Sequence, residues 1–368
     1  MGNQTDARAT LIRLHDFRNY EHAEVSPGQG VNLVIGPNGQ GKTNLLEAIH
    51  LTTTGRLIRG RREAQAVRHG AEMGLVHTYF EPGGHEVEAR LPVSGRKSLT
   101  VNGSALRRAS DLLGRAPCVC FTAESLLLLD GDPEERRHFL DTEASQLHPS
   151  YVKVCADYKR ALQQRNTLLR QWREQPLSSS VFEPWEEQLA HQGAAIRARR
   201  EEWISSLEPR FRKAFSELGG KEPVTIQGAL KDAATTADEL MDGLAARRLT
   251  DRDRGSTGTG PHRDDLAVQI GGQDARDFAS QGQKRAFVVA LKLAVQELLA
   301  EELAARPILL LDDVFSDLDA HRRSSLFGLV LEHGGQVFVT CTEPDQAGDR
   351  FLREAATFVV TSGTVVVR

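Results

Sequence analysis

The eight residues 36–43, with the sequence GPNGQGKT, constrain the fold of this chain more than any other stretch. They match G-x-x-x-x-G-K-[ST], the phosphate-binding loop (P-loop) of nucleoside-triphosphate-binding proteins. The apolar run 31–35 before the loop fits a buried strand, and residues 44–51 after it repeat apolar side chains at helical spacing. The sequence therefore predicts the strand–loop–helix unit that P-loop α/β folds are built around.

The residue types of this loop define its expected chemistry. Its glycines let backbone N–H groups turn inward around an anion, and the following helix presents its positive N-terminal end to the same anion. Lys42 adds a positive charge near the β- and γ-phosphates, and the hydroxyl of Thr43 can ligate Mg²⁺. We therefore predict ATP and Mg²⁺ as cofactors. The predicted nucleotide-binding residues of this segment are Gly36, Pro37, Asn38, Gly39, Gln40, Gly41, Lys42, Thr43 and Asn44.

A second apolar stretch, residues 308–311, ends in the two carboxylates Asp312 and Asp313. In a parallel sheet such a strand is central, and its carboxyl end faces the ligand crevice. We predict that Asp312 holds Mg²⁺ together with Thr43. Asp313 can orient and deprotonate the water that attacks the γ-phosphate, so Asp313 and Lys42 are the predicted catalytic residues.

A third motif, Ser280-Gln281-Gly282-Gln283, precedes a predicted long helix and resembles the signature motif of ABC-type ATPases. It offers N–H groups and a serine hydroxyl to a second phosphate. Because one chain needs only one γ-phosphate cradle, we expect the serine to reach the ATP of a second subunit in a head-to-tail dimer. Asp317 lies in a segment that resembles the D-loop at the seam of such dimers, and it joins the predicted nucleotide-binding residues.

Both ends of the chain alternate strands and helices, whereas its middle is almost entirely helical. We predict an α/β fold: an ABC-type P-loop ATPase head split between residues 1–135 and 255–368, with a β-lobe at about 72–110. The remaining segment, 136–254, is predicted to be an inserted, mainly helical arm domain. Residues 136–213 carry 14 Lys and Arg against 10 Asp and Glu, in a chain of net charge −4. A DNA-facing arm and an ordinary solvated helical face both stay open.

A basic segment follows the first predicted helix and contains Arg56, Arg59, Arg61 and Arg62. We predict contacts of these arginines with DNA phosphates, with a solvated loop as the alternative. The net negative charge excludes a uniformly basic surface, so any nucleic-acid binding must come from local patches.

Composition and apolar patterning predict a cytoplasmic protein without a membrane partner. No apolar run approaches the ~20 residues that span a bilayer, and the N-terminal residues lack the apolar core of a signal peptide. The four cysteines form no C-x-x-C pair, so neither a zinc site nor a disulfide framework is indicated.

Five longer motifs resemble the RecF family, the SMC-like ABC-type ATPases of bacterial recombinational repair. They are FRNY at 17–20, GPNGQGKTNLLEAI at 36–49, GDPEERRHFLD at 131–141, GPHRDDL at 260–266 and SQGQKR at 280–285. The last three are specific to that family, and the resemblance covers most of the chain.

This resemblance implies a homodimer that forms with ATP and binds gapped, single- or double-stranded DNA. It implies a weak DNA-dependent ATPase that helps load the recombinase RecA at gaps with RecO and RecR, in DNA replication, recombination and the SOS response. Asp313 is one methylene shorter than the glutamate common in ABC ATPases, and slow turnover would fit that difference. Glu124 occupies the stretch of the usual Q-loop glutamine, as a predicted metal-site residue, and Thr342 the position of the switch histidine.

Three alternatives stay open at this point. A nucleotide-binding subunit of an ABC transporter should lack a basic helical arm. Another SMC-like ATPase would usually bring an attached nuclease domain, for which no stretch remains. A scaffold that binds ATP without hydrolysing it differs only in a turnover assay.

Overall fold

The computed structural model describes residues 6–60, 62–315, 319–344 and 349–368. The chain forms two compact units. The first contains Met1–Leu126, Arg210–Lys221 and Ala279–Arg368, and the second contains Leu127–Pro209 and Glu222–Phe278. Within the described ranges, we find no helix with the length and apolarity that crossing a bilayer requires.

The strands and helices of the first unit alternate at both ends of the chain. Its strands are β1 (Arg8–Phe17), β2 (Tyr20–Val25), β3 (Val31–Ile35), β4 (Met73–Glu81), β5 (His85–Pro92), β6 (Ser98–Val101), β7 (Ser104–Ala105), β8 (Cys118–Phe121), β12 (Ile308–Leu311), β13 (Val337–Cys341), β14 (Ala356–Thr361) and β15 (Thr364–Val367). Its helices are α1 (Lys42–Thr54), α9 (Gln281–Leu303), α10 (Ala320–His333) and α11 (Asp349–Glu354). Short 3₁₀ turns cover Glu63–Ala66, Ala109–Leu112 and Ala123–Leu126.

One sheet of this unit has the strand order β15-β14-β3-β13-β12-β8. Its strands pair in parallel except for the terminal β14–β15 hairpin. Every residue of β3, β12 and β13 is buried, as expected for central strands of a parallel sheet. The carboxyl ends of β3, β13 and β12 therefore lie side by side, and the P-loop and the aspartate pair follow two of them.

The other sheet is antiparallel, with the order β2-β1-β4-β5-β6-β7. β4 pairs with β1, with Leu14 opposite Val76, so the predicted β-lobe at 72–110 shares its sheet with the first hairpin of the chain. The two strands pair because alternate apolar residues of β1 and β4 bury one face of the sheet in the core that also contains Leu45 and Ile49 of α1. Asn102 and Gly103 form the two-residue turn between β6 and β7, and both have positive φ, as an Asn-Gly hairpin turn requires.

The second unit is mainly helical. It contains α2 (Leu127–Asp130), α3 (Pro133–Leu147), α4 (Pro149–Glu174), a 3₁₀ turn (Ser179–Val181), α6 (Ala237–Ala246), α7 (Arg248–Arg254) and α8 (Ala275–Phe278). An antiparallel sheet of β9 (Val224–Ala229), β10 (Asp265–Ile270) and β11 (Gln273–Asp274) completes it. Helix α5 (Glu183–Glu217) begins here, and its residues from Arg210 onward belong to the first unit.

The boundaries of the units differ from the predicted division at 136–254. The second unit reaches residue 278, because β10 pairs with β9 and because the guanidinium of Arg136 donates to both carboxylate oxygens of Asp265 at 2.6 and 3.1 Å. Residues 210–221 belong to the first unit, where the ring of Phe211 packs on that of Phe287 with centroids 4.5 Å apart.

Candidate functional site

A cavity of about 390 Å³ opens where the carboxyl ends of the central parallel strands meet. It combines the P-loop, the end of β12, the end of β13 and the loop after α1. The residues that line it are Asn38, Gly39, Gly41, Lys42, Thr43, Asn44, Arg59, Ala123, Glu124, Asp312, Asp313 and Thr340. The structure thus brings together most of the predicted phosphate and metal residues from three distant parts of the sequence.

Lys42 lies at the base of the P-loop and is 7% exposed. Its Nζ donates to the carbonyl oxygens of Gly36 at 2.6 Å and Pro37 at 2.9 Å. Burial lowers the pKa of Lys42, and the nearby carboxylates of Asp312 and Asp313 oppose that change. An entering phosphate oxygen would supply the negative partner that this desolvated ammonium group favours.

The P-loop rests on the turn between β1 and β2. Gly41 has φ +119°, and a Cβ there would lie 2.8 Å from the side-chain amide of Asn19, so this position requires glycine. Tyr20 Oη donates to the carbonyl of Gly41 at 2.9 Å, and Asn19 Nδ2 donates to that of Gln40 at 2.7 Å. Asn44 Nδ2 in turn donates to Asn19 Oδ1 at 2.8 Å. Asn19 and Tyr20 of the FRNY motif therefore hold the P-loop through hydrogen bonds to the Gln40 and Gly41 carbonyls and to the Asn44 side chain.

The β14–β15 turn holds the P-loop from the other side. Gln40 Oε1 accepts hydrogen bonds from the backbone N–H of Ser362 at 2.6 Å and from its hydroxyl at 3.2 Å. The N–H of Gly363 donates to the carbonyl of Gln40 at 3.1 Å. The side chain of Gln40, predicted to bind nucleotide, is thus directed to this turn, and Gln40 does not line the cavity.

Thr43 and Asp312 supply the oxygen atoms expected of a Mg²⁺ site. The hydroxyl of Thr43 lies 2.9 and 2.8 Å from the two carboxylate oxygens of Asp312. Burial raises the pKa of Asp312, whereas the hydroxyls of Thr43 and Thr340 stabilise its ionised form. Hard oxygen ligands at the edge of a phosphate cradle fit Mg²⁺.

Asp313 adopts a backbone conformation that is uncommon for a residue other than glycine, with φ +49°. Its N–H donates to Thr340 Oγ1 at 2.8 Å, and its carbonyl accepts from Arg285 Nη1 at 3.0 Å. The Thr340 hydroxyl also donates to Asp312 Oδ1 at 2.8 Å. Two buried side chains therefore hold the backbone that presents the Asp313 carboxylate, which is exposed, to the cavity.

Arg59 lies close to two carboxylates of the cavity, those of Asp312 and Glu124. Arg59 Nη2 lies 3.8 Å from Asp312 Oδ2, and Arg59 Nε lies 3.8 Å from Glu124 Oε1. Glu124 is thus near the predicted metal residues. Arg59, for which a DNA contact stays a prediction, places its guanidinium at the phosphate cavity. Arg56 and Arg62 of the same loop are exposed and outside the cavity lining.

The signature segment lies apart from this cavity. Ser280 is the N-cap of α9: its hydroxyl accepts from the N–H of Gln283 at 3.2 Å, and Gln283 Oε1 accepts from the N–H of Ser280. Ser280, Gln281, Gly282 and Gln283 are all described, and none of the four lines the cavity of their own chain. Asp317 and Arg61 fall outside the described residues.

Sequence reasoning missed Thr340 and considered Thr342 instead for the end of this strand. Thr340 is fully buried on β13 and contacts both aspartates, and Thr342 does not line the cavity. The only signal in the sequence is a polar residue, Thr340, within the apolar run 337–341.

The comparison with protein families gives one match along almost the whole chain. The model of the RecF/RecN/SMC N-terminal domain matches residues 9–360. The DNA replication and repair protein RecF of Symbiobacterium thermophilum is 40% identical over 375 residues, which cover 97% of this chain and 98% of that protein.

Solved structures agree with this match. The structure of the recombination mediator protein RecF with ATP, from the RecFOR pathway, superposes with a TM-score of 0.90 at 31% identity and covers 100% of this chain and 99% of that one. The Smc head domain of Pyrococcus furiosus, at 16% identity and a TM-score of 0.59 over 98% of this chain and 96% of that one, shares the fold.

Proposed function

This chain belongs to the RecF family within the RecF/RecN/SMC N-terminal domain group, and we propose that it is a DNA clamp whose closure depends on ATP. As a member of that family it is an SMC-like, ABC-type ATPase of DNA replication and repair. ATP drives two copies into a head-to-tail dimer that holds DNA, and slow hydrolysis releases it. RecO and RecR are its proposed partners in recombinase loading, and gapped DNA its proposed substrate.

The convergence of Lys42, Thr43, Asp312 and Asp313 in one cavity carries this proposal. Lys42 exchanges its two carbonyl partners for oxygens of the β- and γ-phosphates, and the P-loop N–H groups bind the same anion. The Asp313 carboxylate orients a water in line with the γ-phosphate and accepts its proton. Thr43 and Asp312 would hold Mg²⁺, which when bound neutralises phosphate charge during transfer.

The separation of the signature segment from its own cavity supports the proposed dimerisation. Ser280 is exposed and lies at the N-terminal end of a 23-residue helix. Such an end favours an anion, and the γ-phosphate held by a second copy is the anion that completes the site. In a two-fold dimer the same contact occurs twice, so each ATP binds both subunits.

Exposed arginines of the loop after α1 are the proposed DNA contacts. Arg56 and Arg62 are exposed, and Arg59 of the same loop faces the phosphate cavity. Each phosphate contact releases counterions, so we expect Arg56→Ala and Arg62→Ala each to weaken DNA binding at all sequences and to reduce the salt slope by about 1. A slope that stays unchanged in both variants would remove this loop from the DNA interface.

Mixing two inactive variants tests the shared site directly. Lys42→Ala and Ser280→Arg should each abolish turnover alone. An equal mixture should recover about a quarter of wild-type turnover, because half of the dimers then contain one intact composite site of two. A mixture that stays inactive, although light scattering shows ATP-dependent mixed dimers, would contradict the head-to-tail arrangement. Wild-type protein that binds ATP but never releases phosphate would be the scaffold alternative.

A further inference from the structure

We propose that Arg18 and Glu47 are positioning residues that hold Arg59 at the phosphate cavity and so set the rate of ATP hydrolysis. The inference rests on the proposed ATPase function, and it assigns a role to an ion pair that does not line the cavity. Arg18 comes from the FRNY motif and Glu47 from α1, the helix that begins at Lys42.

Glu47 is buried and Arg18 is half-buried, and the two side chains form a bidentate ion pair. Arg18 Nε lies 2.7 Å from Glu47 Oε2, and Arg18 Nη2 lies 2.9 Å from Glu47 Oε1. Side-chain exposure is 16% for Arg18 and 1% for Glu47. Burying two charges in this way costs desolvation free energy that is recovered only when the remaining donors and acceptors also find partners. The identity of those partners therefore indicates what the pair organises.

Among the described residues, the other side-chain hydrogen bonds of the pair go to the loop that carries Arg59 and to the 3₁₀ turn that follows it. Glu47 Oε1 accepts from the backbone N–H of Ile58 at 3.0 Å and from that of Arg59 at 2.9 Å. Arg18 Nη2 donates to the carbonyl of Arg59 at 2.7 Å, and Arg18 Nη1 donates to that of Gln65 at 2.8 Å. Both the N–H and the carbonyl of Arg59 are thus attached to one ion pair.

The Arg59 side chain depends on this attachment for its position. It is 44% exposed, so packing alone does not fix it, yet its guanidinium lies 3.8 Å from carboxylate oxygens of both Asp312 and Glu124. Because Glu47 belongs to the helix that starts in the P-loop, its hydrogen bonds fix the position of the Arg59 backbone relative to the P-loop. A displacement of about 1 Å at such a site can cost about 100-fold in rate.

A purely structural role is the competing explanation, and a double-mutant cycle separates the two. Glu47→Gln keeps the shape of the side chain and one carbonyl acceptor but removes the charge that pairs with Arg18. We expect it to lower kcat for ATP about tenfold and to change KM less than about twofold, because Lys42 and the P-loop still bind phosphate. Arg59→Ala should lower kcat at least as much. In the Arg59→Ala background, Glu47→Gln should have less than about a twofold further effect.

Two further proteins complete the design. Arg18→Lys changes the other member of the ion pair and is combined with Arg59→Ala in a second double-mutant cycle. This second cycle replaces the first if Glu47→Gln does not fold. Arg13→Lys is the matched control, because Arg13 also pairs with a glutamate: its Nε lies 2.7 Å from Glu24 Oε2, both side chains are exposed, and neither lines the cavity. It should turn over ATP like the wild type, and thermal unfolding of each protein records whether it is folded.

Coupled effects in the cycle support the inference. Additive losses, in which Glu47→Gln lowers kcat equally with and without Arg59, overturn it, and so does an Arg59→Ala variant with unchanged turnover. Either of these results leaves the proposed ATPase function intact. Absence of turnover in the wild type would instead refute the proposed function, and this inference with it.

Discussion

Replacing the hydroxyl of Thr340 tests the arrangement of the two aspartates most directly. This hydroxyl accepts from the N–H of Asp313 and donates to the carboxylate of Asp312, both at 2.8 Å, and the residue is fully buried. Thr340→Val has nearly the same shape, so it removes two hydrogen bonds without opening a cavity. The change therefore measures polar contacts alone.

The expected magnitude follows from the two bonds. A hydrogen bond to a charged group contributes about 1.5–3 kcal/mol, and one to a backbone N–H contributes about 1 kcal/mol. Thr340→Val should therefore lower the free energy of unfolding by about 2–4 kcal/mol. Asp313 has φ +49°, and with its N–H released we expect the carboxylate to shift and kcat for ATP to fall about 10- to 100-fold.

Urea unfolding and steady-state phosphate release measure these two effects. Thr340→Ser keeps the hydroxyl and loses one methyl group, which should cost about 1 kcal/mol and leave kcat within about threefold of wild type. Thr342→Val, two residues further on, leaves both hydrogen bonds of the aspartates in place. Stability within about 0.5 kcal/mol and unchanged kcat in Thr340→Val would refute the reasoning, and equal losses in Thr340→Ser would attribute the effect to packing.

Three further predictions concern other parts of the molecule. Burial lowers the pKa of His262 to about 4, so between pH 6.5 and 4 the unfolded chain binds a proton that the folded chain does not bind. The free energy of unfolding, measured with urea, should therefore fall by about 2 kcal/mol from pH 7.5 to pH 5. The decrease should be smaller in His262→Asn. Arg165, fully buried, binds two buried carboxylates, so Arg165→Ala should cost about 3–5 kcal/mol in the same assay, and the exposed control Arg160→Ala under about 0.5. A Cβ on Gly36 would lie 2.2 Å from the carbonyl oxygen of Val360, so Gly36→Ala should weaken binding of a fluorescent ATP analogue more than tenfold, whereas unchanged affinity would show that the two strands separate easily.

Local features of the sequence predicted local structure closely. Residues 265–270 alternate between apolar and more polar side chains, Gly271 and Gly272 follow them, and β10 covers those six residues. The P-loop and its helix follow β3, and the aspartate pair follows β12, as expected. These features could be predicted because they depend on residues that are close together in the sequence. The segment 136–254, expected to be mainly helical, contains the two long helices α4 and α5.

The features that sequence could not predict depend on pairings between distant segments. Thr340 reaches Asp312 and Asp313 only because β13 lies beside β12, and nothing within residues 337–341 specifies that neighbour. The pairing of β4 with β1 is of the same kind. Charge alone predicts DNA contacts for every arginine of this basic loop, and composition cannot tell that Arg59 is the one that lines the phosphate cavity. Its position is set by Glu47, eleven residues or more away from the N–H groups it binds.

The attachment of the P-loop to the β14–β15 turn has a consequence for biosynthesis. The P-loop leaves the ribosome early, but the two strands that pair with β3, namely β13 and β14, are synthesised only some 300 residues later. The hydrogen-bond partners of Gln40, namely Ser362 and Gly363, also follow later in the chain. Contacts of such sequence separation form late and slowly. Nascent chains stalled before residue 337 should therefore fail to retain ATP. Under the proposed function, a growing polypeptide would then be unable to close on DNA or to pair with a second copy until nearly all of it has been translated.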